Sequence, residues 1–121
     1  MAYFKSLISA ALGLSMLASP TLADFKRIKT EAQFREIVVD KKIYGDDGWA
    51  QAHSNGKLTG NYGGKNMSGA WLWSGQLWCR NARLEDGPET GSDCQTWEVN
   101  GNQLRLTREK GKGRVSIYEI K

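Results

Sequence analysis

Two rhythms of apolar and polar residues divide the chain. Phe34, Ile37 and Val38 recur at helical spacing, with Ile28 just upstream. Thr30 followed three residues later by Gln33 is a capping-box arrangement, which predicts a helix starting there. Lys41 and Lys42 put positive charge near its C-terminal end, where the helix dipole favours it. After Gly45 the helical period gives way to alternation. Turn signals recur at Asp46-Asp47-Gly48, Asn55-Gly56, Gly63-Gly64, Ser74-Gly75, Glu85 to Gly91, Asn100-Gly101 and Gly111-Lys112-Gly113. Short alternating runs between such signals are the mark of an antiparallel sandwich or barrel. The spacing predicts strands near 41–44, 49–54, 57–62, 69–73, 76–83, 93–99, 102–108 and 114–120. The expected fold is mainly β: a small antiparallel up-and-down barrel, or a strongly curved sheet, of about seven or eight strands with one N-terminal helix.

Hairpin register decides which side chains share a face. With Asn55-Gly56 as a two-residue turn, His53 opposes Leu58 and Trp49 opposes Tyr62. With Ser74-Gly75, Trp71 opposes Trp78, and with Asn100-Gly101, Trp97 opposes Leu104. Trp97, Val99, Leu104 and Leu106 belong in the core, and Cys79 shares the outer side of Cys94 if the two are bonded. The inner face then collects all five tryptophans and Tyr62, with Gln51, His53, Arg80 and Gln95 as polar groups among them. Leu72 and Leu77 fall outside, where the helix could cover them. On the last strand, Val115 and Ile117 alternate with Tyr118 and Ile120, and the pattern leaves open which pair faces in.

The N-terminus changes where such a domain is expected to work. Residues 1–23 combine one early positive charge, an apolar run from Leu7 to Leu17 and a small-residue stretch ending in Ala23. That is the tripartite pattern of a signal peptide, with a single domain over 24–121 and a periplasmic or secreted location to follow. The apolar run is shorter than the ~20 residues a spanning helix needs, so an integral membrane protein is not expected.

Seventeen Lys and Arg stand against 13 Asp and Glu, a formal net charge of +4. Lys5 leaves with the leader, so the domain itself is only mildly basic. This suits an acidic protein or an envelope polyanion as partner and falls short of the charge of a dedicated nucleic-acid binder. Arg105, Arg108, Lys110, Lys112 and Arg114 crowd the last hairpin and could form a nucleic-acid surface. Export argues against that, and a solvated edge that discourages strand pairing explains them as well. The two cysteines, Cys79 and Cys94, are expected to form one disulfide in an oxidising compartment. It would tie down the long connection between them.

Catalytic candidates are sparse. His53 is the one histidine, too few for a zinc site once the cysteines are bonded. No nucleophile elbow, P-loop or G-x-G-x-x-G opens a helix. The paired acids Asp46-Asp47 and Glu85-Asp86 sit in turns, not across a cleft as glycoside hydrolysis needs. No metal or cofactor is implied. Arg80 among tryptophans is the sharpest feature, because an inward guanidinium must find a partner or a ligand. It either stacks in a solid core or faces a small pocket with an aromatic wall.

Along Lys57-Leu58-Thr59-Gly60, Ser68-Gly69-Ala70-Trp71-Leu72-Trp73-Ser74-Gly75, Trp78-Cys79-Arg80 and Asp93-Cys94-Gln95, the chain resembles a group of small exported proteobacterial proteins of unestablished function. Some of them are labelled dihydrodipicolinate reductase. A nicotinamide-dependent reductase needs a glycine-rich βα turn and a far longer chain, so no catalytic residue carries over from that label. The expected architecture is also similar to the small calycin-type barrels, such as lipocalins, avidins and lysozyme inhibitors, at the level of fold.

The leading expectation is therefore a non-enzymatic binding module for a small amphipathic or anionic ligand. Its pocket would draw on Trp71, Trp73, Trp78 and Trp97, on Arg80, and on His53, Tyr62 and Gln95. The alternative is a protein-binding inhibitor or envelope-interaction protein acting through a disulfide-held loop at 85–92.

Overall fold

The computed structural model describes residues 24–121; the signal peptide expected over 1–23 lies outside the described residues. A two-residue strand β1 (Lys26–Arg27) precedes helix α1 (Glu31–Ile37). Eight strands follow: β2 (Lys42–Tyr44), β3 (Gly48–Ala52), β4 (Lys57–Tyr62), β5 (Lys65–Ser74), β6 (Leu77–Leu84), β7 (Asp93–Asn100), β8 (Gln103–Thr107) and β9 (Val115–Ile120). Each of the eight pairs antiparallel with the next, and β9 returns to β2 through Ile43↔Ile120 and Tyr44↔Glu119. The sheet is a closed up-and-down barrel. Strand β1 and a short helical turn at Arg108–Gly111 are elements the alternation did not announce. Strand β1 pairs with Glu98 and Val99 of β7, beyond the stretch of β7 that pairs with β6.

The helix forms where the capping pattern predicts. The Thr30 hydroxyl accepts from the Gln33 backbone N–H at 3.1 Å, and the Gln33 side chain accepts from the Thr30 N–H at 3.2 Å. Lys41 Nζ donates to the carbonyls of Glu36 and Ile37, which have no helical partner. The placement of the helix differs from the expectation. It does not cover Leu72 and Leu77 on the outer face; Leu72 remains 58% exposed. Instead α1 stoppers one end of the barrel with Phe34, fully buried, whose ring centroid lies 5.1–5.4 Å from those of Trp71, Trp73 and Trp97. An eight-stranded barrel has open ends as well as faces, and an aromatic plug closes one of them.

Register explains the remaining differences. The second and third hairpins turn at Gly75-Gln76 and Gly101-Asn102, with a positive φ of 64° at each glycine, one residue later than predicted. Glycine in the first central position of a two-residue turn suits the type II′ geometry. The pairings become Trp73↔Trp78 and Val99↔Leu104, a shift of two that leaves every side chain on its expected face. The first hairpin slips by one. The His53 N–H bonds to the Lys57 carbonyl and Gly56 sits at φ 91°, so Ala52 opposes Leu58. A slip of one reverses β3. Ala50 and Ala52 are buried inside, and Trp49, Gln51 and His53 leave the inner face. Trp49 lies under the Lys42 ammonium at 4.3 Å. On β9 the choice falls to Tyr118 and Ile120, which pack against the core, while Val115 and Ile117 are 53% and 47% exposed.

Small inward residues shape the wall. A Cβ on Gly60 would overlap the Trp49 carbonyl, and one on Gly69 would overlap the carbonyl of Asn81. Strands β3 to β6 approach one another there more closely than any side chain would permit, which lets the sheet bend toward closure. The disulfide Cys79–Cys94 joins directly opposed residues, with Cα atoms 4.0 Å apart, on the outer side of the β6–β7 seam.

Candidate functional site

Below the aromatic plug the barrel is not filled. A cavity of about 300 Å³ occupies the other half of the interior. Its apolar wall includes Ile43, Ala50, Leu58, Met67, Trp78 and Trp97. The alanines matter to this volume: with β3 in its observed register, Ala50 and Ala52 stand where larger side chains would fill the space. The opposite rim is polar and carries the exposed residues Thr90 and Arg108, so the cavity reaches the surface on the side of the 85–92 loop and the β8–β9 turn.

Four side chains give that rim its character. Arg80 reaches into the cavity wall from β6 and is half-buried. Arg108 follows the end of β8. Tyr62 and Tyr118, from β4 and β9, share a hydrogen bond between their hydroxyls at 2.8 Å. Burial, and then the adjacent Tyr118, pushes the Tyr62 hydroxyl well above the usual phenol range, so it stays a neutral O–H. Burial, and then the like charge of Arg108, lowers the pKa of Arg80, with Asp93 partly opposing.

Asp93 is already engaged. Its Oδ2 accepts from Gln95 Nε2 at 3.0 Å and lies 4.0 Å from Arg108 Nε, and its Oδ1 accepts from the Glu109 backbone N–H at 3.0 Å. Gln95 in turn accepts from Trp97 Nε1 at 3.2 Å, so a hydrogen-bonded chain runs from the aromatic floor to the rim. Among the described residues Arg80 has neither an ion-pair partner nor a side-chain hydrogen bond. The rim thus holds two guanidinium groups and one carboxylate.

Of the predicted pocket residues, Trp78, Trp97, Arg80, Tyr62 and Gln95 meet around this cavity. Trp71 and Trp73 belong to the plugged end, where Phe34 packs on them. A shallow outer depression also runs past Trp71, Trp73 and Arg35. His53 lies in the β3–β4 turn, its carbonyl accepting from Trp71 Nε1 at 2.9 Å and its Nε2 bonded to Thr59 Oγ1 at 2.7 Å. It locks a turn and does not face the cavity. Sequence reading missed Tyr118, whose strand it left in undecided phase, and Arg108, which it counted with the basic edge. The side taken by Tyr118 becomes readable only once barrel closure brings β9 beside β2, whereas Arg108 continues the inward phase of Leu104 and Leu106, a signal the alternation already carried.

The expected loop at 85–92 is held chiefly by its own bonds. Thr90 donates its backbone N–H and its hydroxyl to the Ala82 carbonyl at 2.8 and 3.0 Å, and the backbone of Glu89 forms an isolated antiparallel β-bridge with that of Arg83. The loop folds back along β6 and forms part of the cavity rim through Thr90. The β8–β9 turn on the same rim has Glu109 and Lys110 at φ 53° and 59°, a left-handed conformation uncommon outside glycine. The Asp93 bond to the Glu109 N–H fastens it. Among the described residues no cluster of three His, Cys, Asp or Glu side chains could hold a metal ion. No helix there is long and apolar enough to cross a membrane. Compared with known protein families, curated proteins and solved structures, the chain matches none.

Proposed function

We propose that this chain is a binding module, without catalytic activity of its own, that takes a small amphipathic or anionic ligand into the open half of its barrel. One observation carries the reading: Arg80, a half-buried guanidinium in the cavity wall with no ion-pair partner among the described residues. A buried charge left without a counter-charge is costly. A ligand anion would remove that cost each time it entered. The surrounding design agrees with a ligand site, since a mostly apolar cavity with a few convergent polar groups is the usual form of one. We place its action outside the cytoplasm, in the periplasm or beyond. The leader pattern of residues 1–23 and the disulfide support that location.

The test is native mass spectrometry of the protein purified from its own compartment. The expected result is a non-covalent small-molecule adduct that is lost on denaturation and absent from Arg80→Met. Bare protein that also fails to take up any small amphiphile would overturn the reading.

The second reading, docking of a protein partner through the 85–92 loop, draws support from the bonds that hold the exposed loop against Ala82 and Arg83. A pre-ordered loop loses less entropy on docking. Replacing 86–88 with glycine and serine should abolish partner capture under that reading and leave small-molecule uptake unchanged under the first.

A further inference from the structure

The chemistry of the rim narrows the ligand further, on the premise that the cavity is a ligand site. Arg80 and Arg108 bring two positive charges, and Asp93 brings one negative charge already shared with Gln95, the Glu109 N–H and Arg108. One positive charge is left over. A single negative charge balances it, whereas a dianion would overshoot and a cation would add a like charge to a partly desolvated pair. Tyr62 and Tyr118 have two hydroxyl protons and spend one on each other. The other remains to be donated. A guanidinium and a neutral phenol side by side match the two oxygens of a carboxylate: a fork for one or both, and an O–H for the second.

Size follows from the apolar part. At ~30 Å³ for each water-sized group, the cavity of about 300 Å³ has room for on the order of ten non-hydrogen atoms. Trp78, Trp97, Leu58, Met67 and Leu106 offer no further charged group to a tail. The plug of Phe34 against the tryptophans stops a longer chain from passing through to the other end.

We infer that the barrel binds a medium-length monocarboxylate, its carboxylate held at Arg80, Arg108 and the Tyr62–Tyr118 pair and its apolar body lying against Trp78 and Trp97. Arg80 is then the residue that selects the head group, and the plug sets the length.

Calorimetric titration with octanoate, octyl phosphate, octylamine, 1-octanol and hexadecanoate tests this, with tryptophan fluorescence as a second readout. The expected outcome is one saturable site for octanoate. Octyl phosphate and hexadecanoate should bind at least tenfold more weakly, and octylamine not measurably. Arg80→Met should lose at least tenfold on octanoate and stay within about twofold on 1-octanol, which has the same tail and no charge. Arg80→Lys should recover part of the loss. Thermal melting of Arg80→Met without ligand serves as the folding control, and its midpoint should be unchanged or raised because an unpaired charge has gone.

Two results separate the layers of the argument. Octyl phosphate binding more tightly than octanoate, with Arg80 required, would overturn the monocarboxylate assignment and leave an anion-binding barrel. If all five probes failed to bind, or Arg80→Met bound octanoate as well as the unaltered protein, the monocarboxylate and the anion-binding reading would both fall.

Discussion

Charge is placed differently on the two sides of the barrel wall. Inside, Arg80 has no ion-pair partner among the described residues; outside, Arg105 donates to both carboxylate oxygens of Glu98 at 2.8 and 3.0 Å across the β7–β8 pair. That hydrogen bond, opposed in part by burial and then helped by the positive charges of Arg105 and Arg27, holds the Glu98 carboxyl below its ordinary value. A group whose pKa is depressed by folding adds stability above the ordinary carboxylate range and loses it as pH falls through the folded value. The Arg105 side chain is 36% exposed, which limits the effect to about 1 kcal/mol or less. Urea denaturation should therefore show a loss of stability from pH 5 toward pH 3 that is smaller in Glu98→Gln. Equal acid sensitivity of the two proteins would contradict the role given to the pair. At the plugged end, His53→Ala should cost ~1 kcal/mol for its bond to Thr59. It should leave octanoate affinity unchanged, since the ring lies off the cavity.

The helix is short, yet it decides whether the barrel has one open end or two. Phe34→Ala removes the centre of a cluster of four tryptophans and should cost about 3–5 kcal/mol in chemical denaturation. It should also let hexadecanoate bind, because the stop on chain length is gone. In the wall, Gly69→Ala forces a methyl group onto the Asn81 carbonyl and should destabilise by roughly 1–3 kcal/mol. A melting temperature matching the unaltered protein would show that the strands can part there. These elements differ in how far the chain announces them. The capping pair Thr30 and Gln33 and the alternating runs mark the helix α1 and the eight barrel strands directly, since both signals are local. Register is less secure. Asn55-Gly56 and Ser74-Gly75 look alike as dipeptides, but the first lies in a longer loop and the second shifts to Gly75-Gln76, so one error reverses a face and the other does not. Trp49 and His53 were placed inside by that single-residue slip.

Across the whole molecule, closure is the property that local patterns cannot convey. Five of the eight residues expected to form a pocket do line the cavity, because parity alone brings Trp78, Arg80, Gln95, Trp97 and Tyr62 inside. That the interior is half plugged and half empty depends on where α1 packs and on the small side chains of β3, and neither follows from alternation. The seam of β6 and β7 is one of the shorter joins in the wall, paired through Trp78↔Gln95, Cys79↔Cys94 and Arg80↔Asp93. The disulfide sits in the middle of it. By the chain-entropy estimate for a loop of 15 residues, the Cys79→Ser, Cys94→Ser protein should lose ~3 kcal/mol. Its octanoate affinity should fall too, because Arg80 and Asp93 flank the missing bond. Unaltered affinity in the folded variant would mean that the seam holds the rim without help.

The closing pairs also set a timetable. Strand β1 waits for Glu98 and Val99, and β2 waits for Glu119 and Ile120 at the far end of the chain. The hairpins from β2 to β6 need only neighbouring segments and can form early, whereas β1 stays unpaired until β7 is in place and the outer edge of β2 stays open until β9 is. Contacts so distant in sequence make for slow folding, in the range of milliseconds to seconds. A chain cut before Val115 would hold a curved sheet with its aromatic face uncovered, and the barrel comes into being only when β9 joins β8 to β2.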